Sequence, residues 1–227
     1  MTDYTPYIKT AQVFANMTFL EVYLFDFAER KLVFASPTML QHREIQSKEV
    51  SDEGRKMDID KVFPMSQDEL TALSAAALKY KELSPERQKN FVVRFNTRPS
   101  RNVMAETHRL SIVTTDEHNN PILVMGIVSP SLHGGAETMV AHVATEDFIY
   151  RYIYGSGEWV CEPLPHLSDN ELTMLRLSLQ GYSLENIGQL MYKSTESVKY
   201  YRRQVYQKLG ANNIAEALGI AADYCLL

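Results

Sequence analysis

The chain has 227 residues, 45% of them apolar, with 23 Lys and Arg against 28 Asp and Glu for a net charge of −5, which is enough to build one medium and one small domain with real cores. Its longest uninterrupted apolar stretch, Ile122 to Val128, is far short of the roughly 20 residues that cross a bilayer, and the opening MTDYTPYIKT lacks the basic start and apolar core of a secretory signal, so a cytoplasmic protein with no membrane partner is expected. Cys161 and Cys225 are the only cysteines, which argues against a disulfide scaffold or a thiolate zinc site.

In chain order, a helix is suggested first at TPYIKTAQVFAN, and EVYLFDF and KLVFAS then read as strands joined by a turn. A secure helix follows. Ser66 and Glu69 have the spacing of a capping box, and Leu70, Leu73, Ala77 and Tyr80 recur at helical intervals behind them. NFVVRFN, ETHRLSIVT and ILVMGIV read as three more strands, separated by the polar stretches TRPSRN and DEHNNP. Residues 1–131 are therefore expected to form an α+β domain: one antiparallel five-stranded sheet with helices over one face. This order resembles a PAS domain, with VYLFDFAERKLVFASPTM as its first hairpin and NNPILVMGIVSP as its last strand. The resemblance implies a sensor whose cavity has room for a flavin, a haem or a metabolite. Both cysteines lie beyond this region, so no flavin-reactive thiol is available, and no cofactor or ligand is assigned.

Two other sensor types fit these residues less well. A phosphoacceptor receiver would use a strand-end aspartate such as Asp26, but only 25 residues precede it and the acidic pair is absent. An acyl-homoserine-lactone domain fits the length, yet such domains resemble one another through several tryptophans, and the single Trp159 here lies outside the sensor. Residues 132–164 are expected to connect the domains. SLHGGAET is the hinge, the two strand-like runs from Phe148 to Tyr154 and from Glu158 to Cys161 form a hairpin about Gly155-Ser156-Gly157, and Pro163 and Pro165 stiffen the exit.

Residues 165–227 carry a complete helix grammar. Ser168 with Glu171 makes a capping box before the first helix, flanked by Leu167 and Leu172, and Gly181 stops it. Ser183 caps a short second helix with an apolar stripe at Ile187, Leu190 and Met191. Ser194 opens a third that ends at Gly210, and Asn213 with Glu216 opens a fourth, whose Ile214, Leu218, Ala221 and Cys225 share a face. Charge concentrates on the third helix: residues 193–210 hold five basic residues and the single acidic Glu196, a local +4. On a helical wheel Val198, Tyr201, Val205 and Leu209 face inward. Lys199, Tyr200, Arg203 and Gln207 face outward, with Arg202 and Lys208 on the flanks. A helix of this kind fits the major groove, where Arg and Lys read guanine and flanking cations meet phosphates.

Residues 167–217 resemble the LuxR/GerE-type helix-turn-helix. The likeness is carried by the Leu-Ser-x-x-Glu start, Gly181-Tyr182-Ser183, Ile187, Ser194, Ser197-Val198-Lys199, Lys208-Leu209-Gly210 and Glu216-Ala217. It implies a bacterial transcription regulator acting as a homodimer on double-stranded DNA, with RNA polymerase as the expected protein partner. DNA-contacting positions are Lys193, Thr195, Ser197, Lys199, Tyr200, Arg202, Arg203, Gln207 and Lys208. Ile214, Leu218, Ala221 and Cys225 either pair with a second copy or close the small domain's own core. Three residues depart from the pattern: Asn170 replaces a usual Arg, Tyr201 a frequent His, and Gly188 a usual Ala, the last costing the helix about 1 kcal/mol.

No other chemistry is evident. The six histidines are scattered without an HxxxH pair, and GxSxG, P-loop and GxGxxG motifs are missing. The reading is a non-enzymatic, DNA-binding regulator whose amino-terminal domain senses a signal. Its competitors are an interaction protein with an idle DNA face and a lactone-responsive regulator.

Overall fold

Five consecutive residues, Val22 to Asp26, are buried in the first strand, a pattern that a sheet with one wet face cannot produce. In the computed structural model, which describes residues 3–43, 63, 65–97, 105–131 and 139–227, the reason is plain. Helix α1 (Thr5–Thr18) packs Ala11 and Ala15 against Val22, Leu24 and Leu123 on one side of the sheet. On the other side Tyr23 and Phe25 join a core that includes Ala72, Ala76 and Tyr80. The helices therefore cover both faces, not the one expected.

The remaining elements of this unit are β1 (Glu21–Asp26), β2 (Lys31–Ala35), α2 (Pro37–His42), α3 (Gln67–Lys81), α4 (Pro85–Gln88), β3 (Phe91–Thr97), β4 (Glu106–Thr115), β5 (Pro121–Pro130), β6 (Met139–Val143), β7 (Phe148–Ile153) and β8 (Glu158–Pro163). The expected capping box before α3 is present: Ser66 Oγ accepts from the Glu69 N–H at 3.2 Å, and a Glu69 carboxylate oxygen accepts from the Ser66 N–H at 2.6 Å. The sheet is antiparallel where its register is defined, but it has eight strands, ordered β2-β1-β5-β4-β3-β6-β7-β8. The additional three come from the segment read as hinge and hairpin. β6 pairs with β3, Phe91 opposite Val143, so this segment extends the sheet. Its aromatic residues pack together, with Tyr152 5.1 Å from Trp159 and 5.3 Å from Tyr154 between ring centres. The stretch expected as the hinge lies, beyond Ser131, outside the described residues, as does most of TRPSRN.

A second compact unit runs from Pro163 to Leu227. It contains α5 (Asp169–Leu179), α6 (Leu184–Met191), α7 (Thr195–Leu209) and α8 (Ile214–Asp223). Each helix begins where a short polar side chain meets orphan N–H groups. Ser183 accepts from the Asn186 N–H, Ser194 from Ser197 and Asn213 from Glu216, at 3.3, 3.2 and 2.9 Å. Gly181 and Gly210 take the left-handed backbone, φ 84° and 68°, that ends α5 and α7. Met174, Leu175, Ile187, Val198, Val205, Ala217 and Ala221 form the fully buried core. No described helix is long and apolar enough to cross a membrane.

Candidate nucleic-acid interface

Helix α7 is held by its apolar face, with Val198 and Val205 completely buried and Leu209 nearly so. That fixes its rotation. Lys199, Tyr200, Arg203 and Gln207 are exposed together, Lys193 is exposed in the preceding turn, and Thr195, Ser197 and Arg202 are half-buried.

The cations on this surface are not equivalent. Lys199 donates to Glu196 at 2.7 Å, one helical turn away. Lys208 is exposed on the flank, and its ammonium donates to Glu171 at 2.7 Å, which ties the end of α7 to the start of α5. Glu171 is nearly buried and also accepts from the Ser168 N–H at 2.7 Å. Burial pushes its carboxyl pKa up, but Lys208 and the Ser168 cap outweigh burial and leave it below the usual glutamate value. Among the described residues Lys193, Arg202 and Arg203 have no carboxylate partner. The Arg203 guanidinium lies 5.8 Å from the centre of the Tyr200 ring.

The turn between α6 and α7 is tight for a specific reason. The Lys193 N–H donates to the Gly188 carbonyl at 2.8 Å, and a Cβ on Gly188 would stand only 2.8 Å from the Lys193 carbonyl oxygen. Glycine there makes room for the turn, which the propensity argument alone misses. Tyr192 pivots the chain with φ 54° and is 95% exposed.

On α8 the stripe divides. Ala221 is fully buried in the unit's own core, and Ile214 and Leu218 pack against it half-buried. Cys225 lies past the helix end and is exposed. Ala221 therefore offers no surface for close approach by a second copy.

The sheet unit holds a cavity of about 460 Å³ lined by Tyr23, Phe25, Phe63, Phe95, His108 and Leu110, with Arg30, Gln67 and Ser74 also on its wall. His108 stacks on its cross-strand partner Phe95, ring centres 4.8 Å apart, and its Nε2 lies 3.0 Å from Thr97 Oγ1. Its Nδ1 is buried without a hydrogen-bond partner among the described residues. Burial lowers the imidazole pKa against the opposing pull of Glu106. Asp26, weighed as a phosphoacceptor, is buried and bound by the Tyr4 hydroxyl. Sequence reading placed Glu171 in its capping box, as observed, but missed its Lys208 partner and the setting of His108, because both come from a partner helix or strand. Among the described residues no group of His, Cys, Asp and Glu could hold a metal.

The second unit is thus a four-helix domain of the helix-turn-helix class. Residues 165–221 match the family of bacterial regulatory proteins named luxR, and the carboxyl-terminal unit is a LuxR-family domain. The chain is similar to the virulence-factor transcription regulator BvgA of Bordetella pertussis and of Bordetella bronchiseptica, 38% identical over 55 residues in each case. That match covers 24% of this chain and 26% of theirs. Among solved structures, a phage VqmA–DPO complex is 11% identical over 98% of this chain and 90% of that one, TM-score 0.34. A Vibrio cholerae VqmA dimer without target DNA is 13% identical over 93% and 86%, TM-score 0.30.

Proposed function

We propose that the chain is a transcription regulator that binds double-stranded DNA through the exposed face of α7 and is controlled by its amino-terminal sheet unit. The observation that carries the reading is the joint exposure of Lys199, Tyr200, Arg203 and Gln207 on a helix whose opposite face is locked into the core. In the groove Arg203 and Lys199 would read base edges, while Lys193 and Arg202, with Thr195 and Ser197, would meet phosphates. The pairing of Lys208 with Glu171 supports a structural role for it beside a phosphate contact from the helix flank. A single unit of this size neutralises few phosphates, so a homodimer on a two-fold-symmetric site is the working species. RNA polymerase is the partner through which such binding would alter transcription.

The aromatic cavity of the sheet unit is proposed as the sensing site, its polar wall groups orienting a small molecule. Ligand occupancy would act by favouring one arrangement of the chain over another. Selection of duplexes from a random library by the full-length chain tests the central assignment. A defined, roughly palindromic site should emerge, and Arg203→Ala should weaken binding to it by about 1–3 kcal/mol. Enrichment of no sequence at all would favour the interaction protein with an idle DNA face.

A further inference from the structure

Among the outward side chains on α7, Lys199 pairs with Glu196 and Tyr200 touches Arg203. Tyr200 is 50% exposed, and its ring meets the Arg203 guanidinium at 5.8 Å, within the distance at which a cation is held over an aromatic face. Lys199 shares its charge with Glu196, whereas Arg203 has no carboxylate partner among the described residues. Arg203 is therefore a planar, five-donor fork braced by an aromatic surface, not a mobile charge.

Resting on the DNA-binding reading above, we propose that Tyr200 and Arg203 act as one reading unit for a G·C pair with a T·A pair directly beside it. Arginine is suited to the paired acceptors O6 and N7 that guanine presents in the major groove. Three residues along a helix advance about 4.5 Å, close to the roughly 3.4 Å between successive base pairs. The Tyr200 ring then meets the neighbouring pair at the level where thymine presents its C5-methyl, the one apolar group on the major-groove edge of the bases. The ring takes part in two ways, packing on the methyl and fixing the guanidinium over the guanine. Specificity at the two base pairs is consequently coupled: removing the ring weakens recognition of the guanine as well as of the thymine.

The test uses the full-length chain and its selected duplex, with single-atom changes in the DNA. Replacing the thymine by deoxyuridine removes only the methyl and should weaken wild-type binding about 4-fold, the value of one buried methyl-sized group. Replacing the guanine by 7-deazaguanine removes N7 and should weaken it roughly 5-fold or more. Tyr200→Ala should abolish the deoxyuridine effect and reduce the 7-deazaguanine effect, while Tyr200→Phe, which keeps the ring, should preserve both. Arg203→Ala, which removes the donor, should lose the 7-deazaguanine effect. Indifference of the wild type to deoxyuridine, or an undiminished 7-deazaguanine effect in Tyr200→Ala, overturns the coupled unit while leaving DNA binding intact. Selection of no duplex at all overturns both.

Discussion

Single residues in the helical unit do work that their side-chain type conceals. Lys208 looks like one more cation on a basic helix, yet its partner is Glu171 at the start of α5. Lys208→Met should destabilise the unit by about 1–2 kcal/mol, a range kept low because the lysine is partly exposed. Chemical denaturation of the full chain checks the loss, and a double cycle with Glu171→Gln should show the two changes to be strongly non-additive. Because the folded glutamate is more acidic than usual, this pair stabilises fully above the ordinary value of 4.5 and loses its contribution as pH falls below it. The denaturation midpoint of wild type should therefore fall below that pH more steeply than that of the Glu171→Gln chain. Gly188 is a second case. Helix propensity favours alanine by about 1 kcal/mol, but a Cβ would press on the backbone of the turn. Gly188→Ala is accordingly predicted to destabilise, by an amount on the order of 1 kcal/mol, and a raised melting temperature would contradict this account of the turn.

At the level of elements, what the sequence revealed depended on how local the signal is. The four carboxyl-terminal helices were legible because Ser168, Ser183, Ser194, Asn213, Gly181 and Gly210 act on backbone groups a few residues away. The sheet was legible strand by strand except for β6, the runs Phe148 to Tyr154 and Glu158 to Cys161 being β7 and β8, but not as a whole. β6 is five residues long and lies between β3 and β7, and its pairing with β3 is a long-range contact that no local pattern announces. The second helical layer was missed although Val22 to Asp26 carried its mark, a run of buried residues without alternation. Gly126 has a comparable logic across strands: it faces Tyr23 in the β1–β5 register, and a Cβ there would lie 2.0 Å from the tyrosine ring. Gly126→Ala should displace that ring from the cavity wall and cost about 1–3 kcal/mol. Calorimetry of the full chain should show the loss in the transition of the sheet unit, with DNA affinity unchanged in the absence of ligand.

For the whole molecule, the proposed function requires a chain of net charge −5 to engage a polyanion. The cations that matter are few and gathered on one face of α7 and the turn before it, and dimerisation would double them. The buried Ala221 and half-buried Leu218 make α8 chiefly a core element. Leu218→Asp is therefore expected to open α8 itself, seen as faster hydrogen exchange across Ile214–Asp223. Loss of dimers with unchanged exchange protection would instead return α8 to the interface.

The central claim, that the exposed face of α7 binds DNA, is tested most directly by the salt dependence of full-chain binding to its selected duplex, followed by fluorescence anisotropy. The logarithm of the association constant should fall linearly with the logarithm of salt concentration, and Lys193→Ala and Arg202→Ala should each make the slope shallower by about 1. A slope unchanged by either substitution, or equal affinity for the selected and a scrambled duplex, would contradict it.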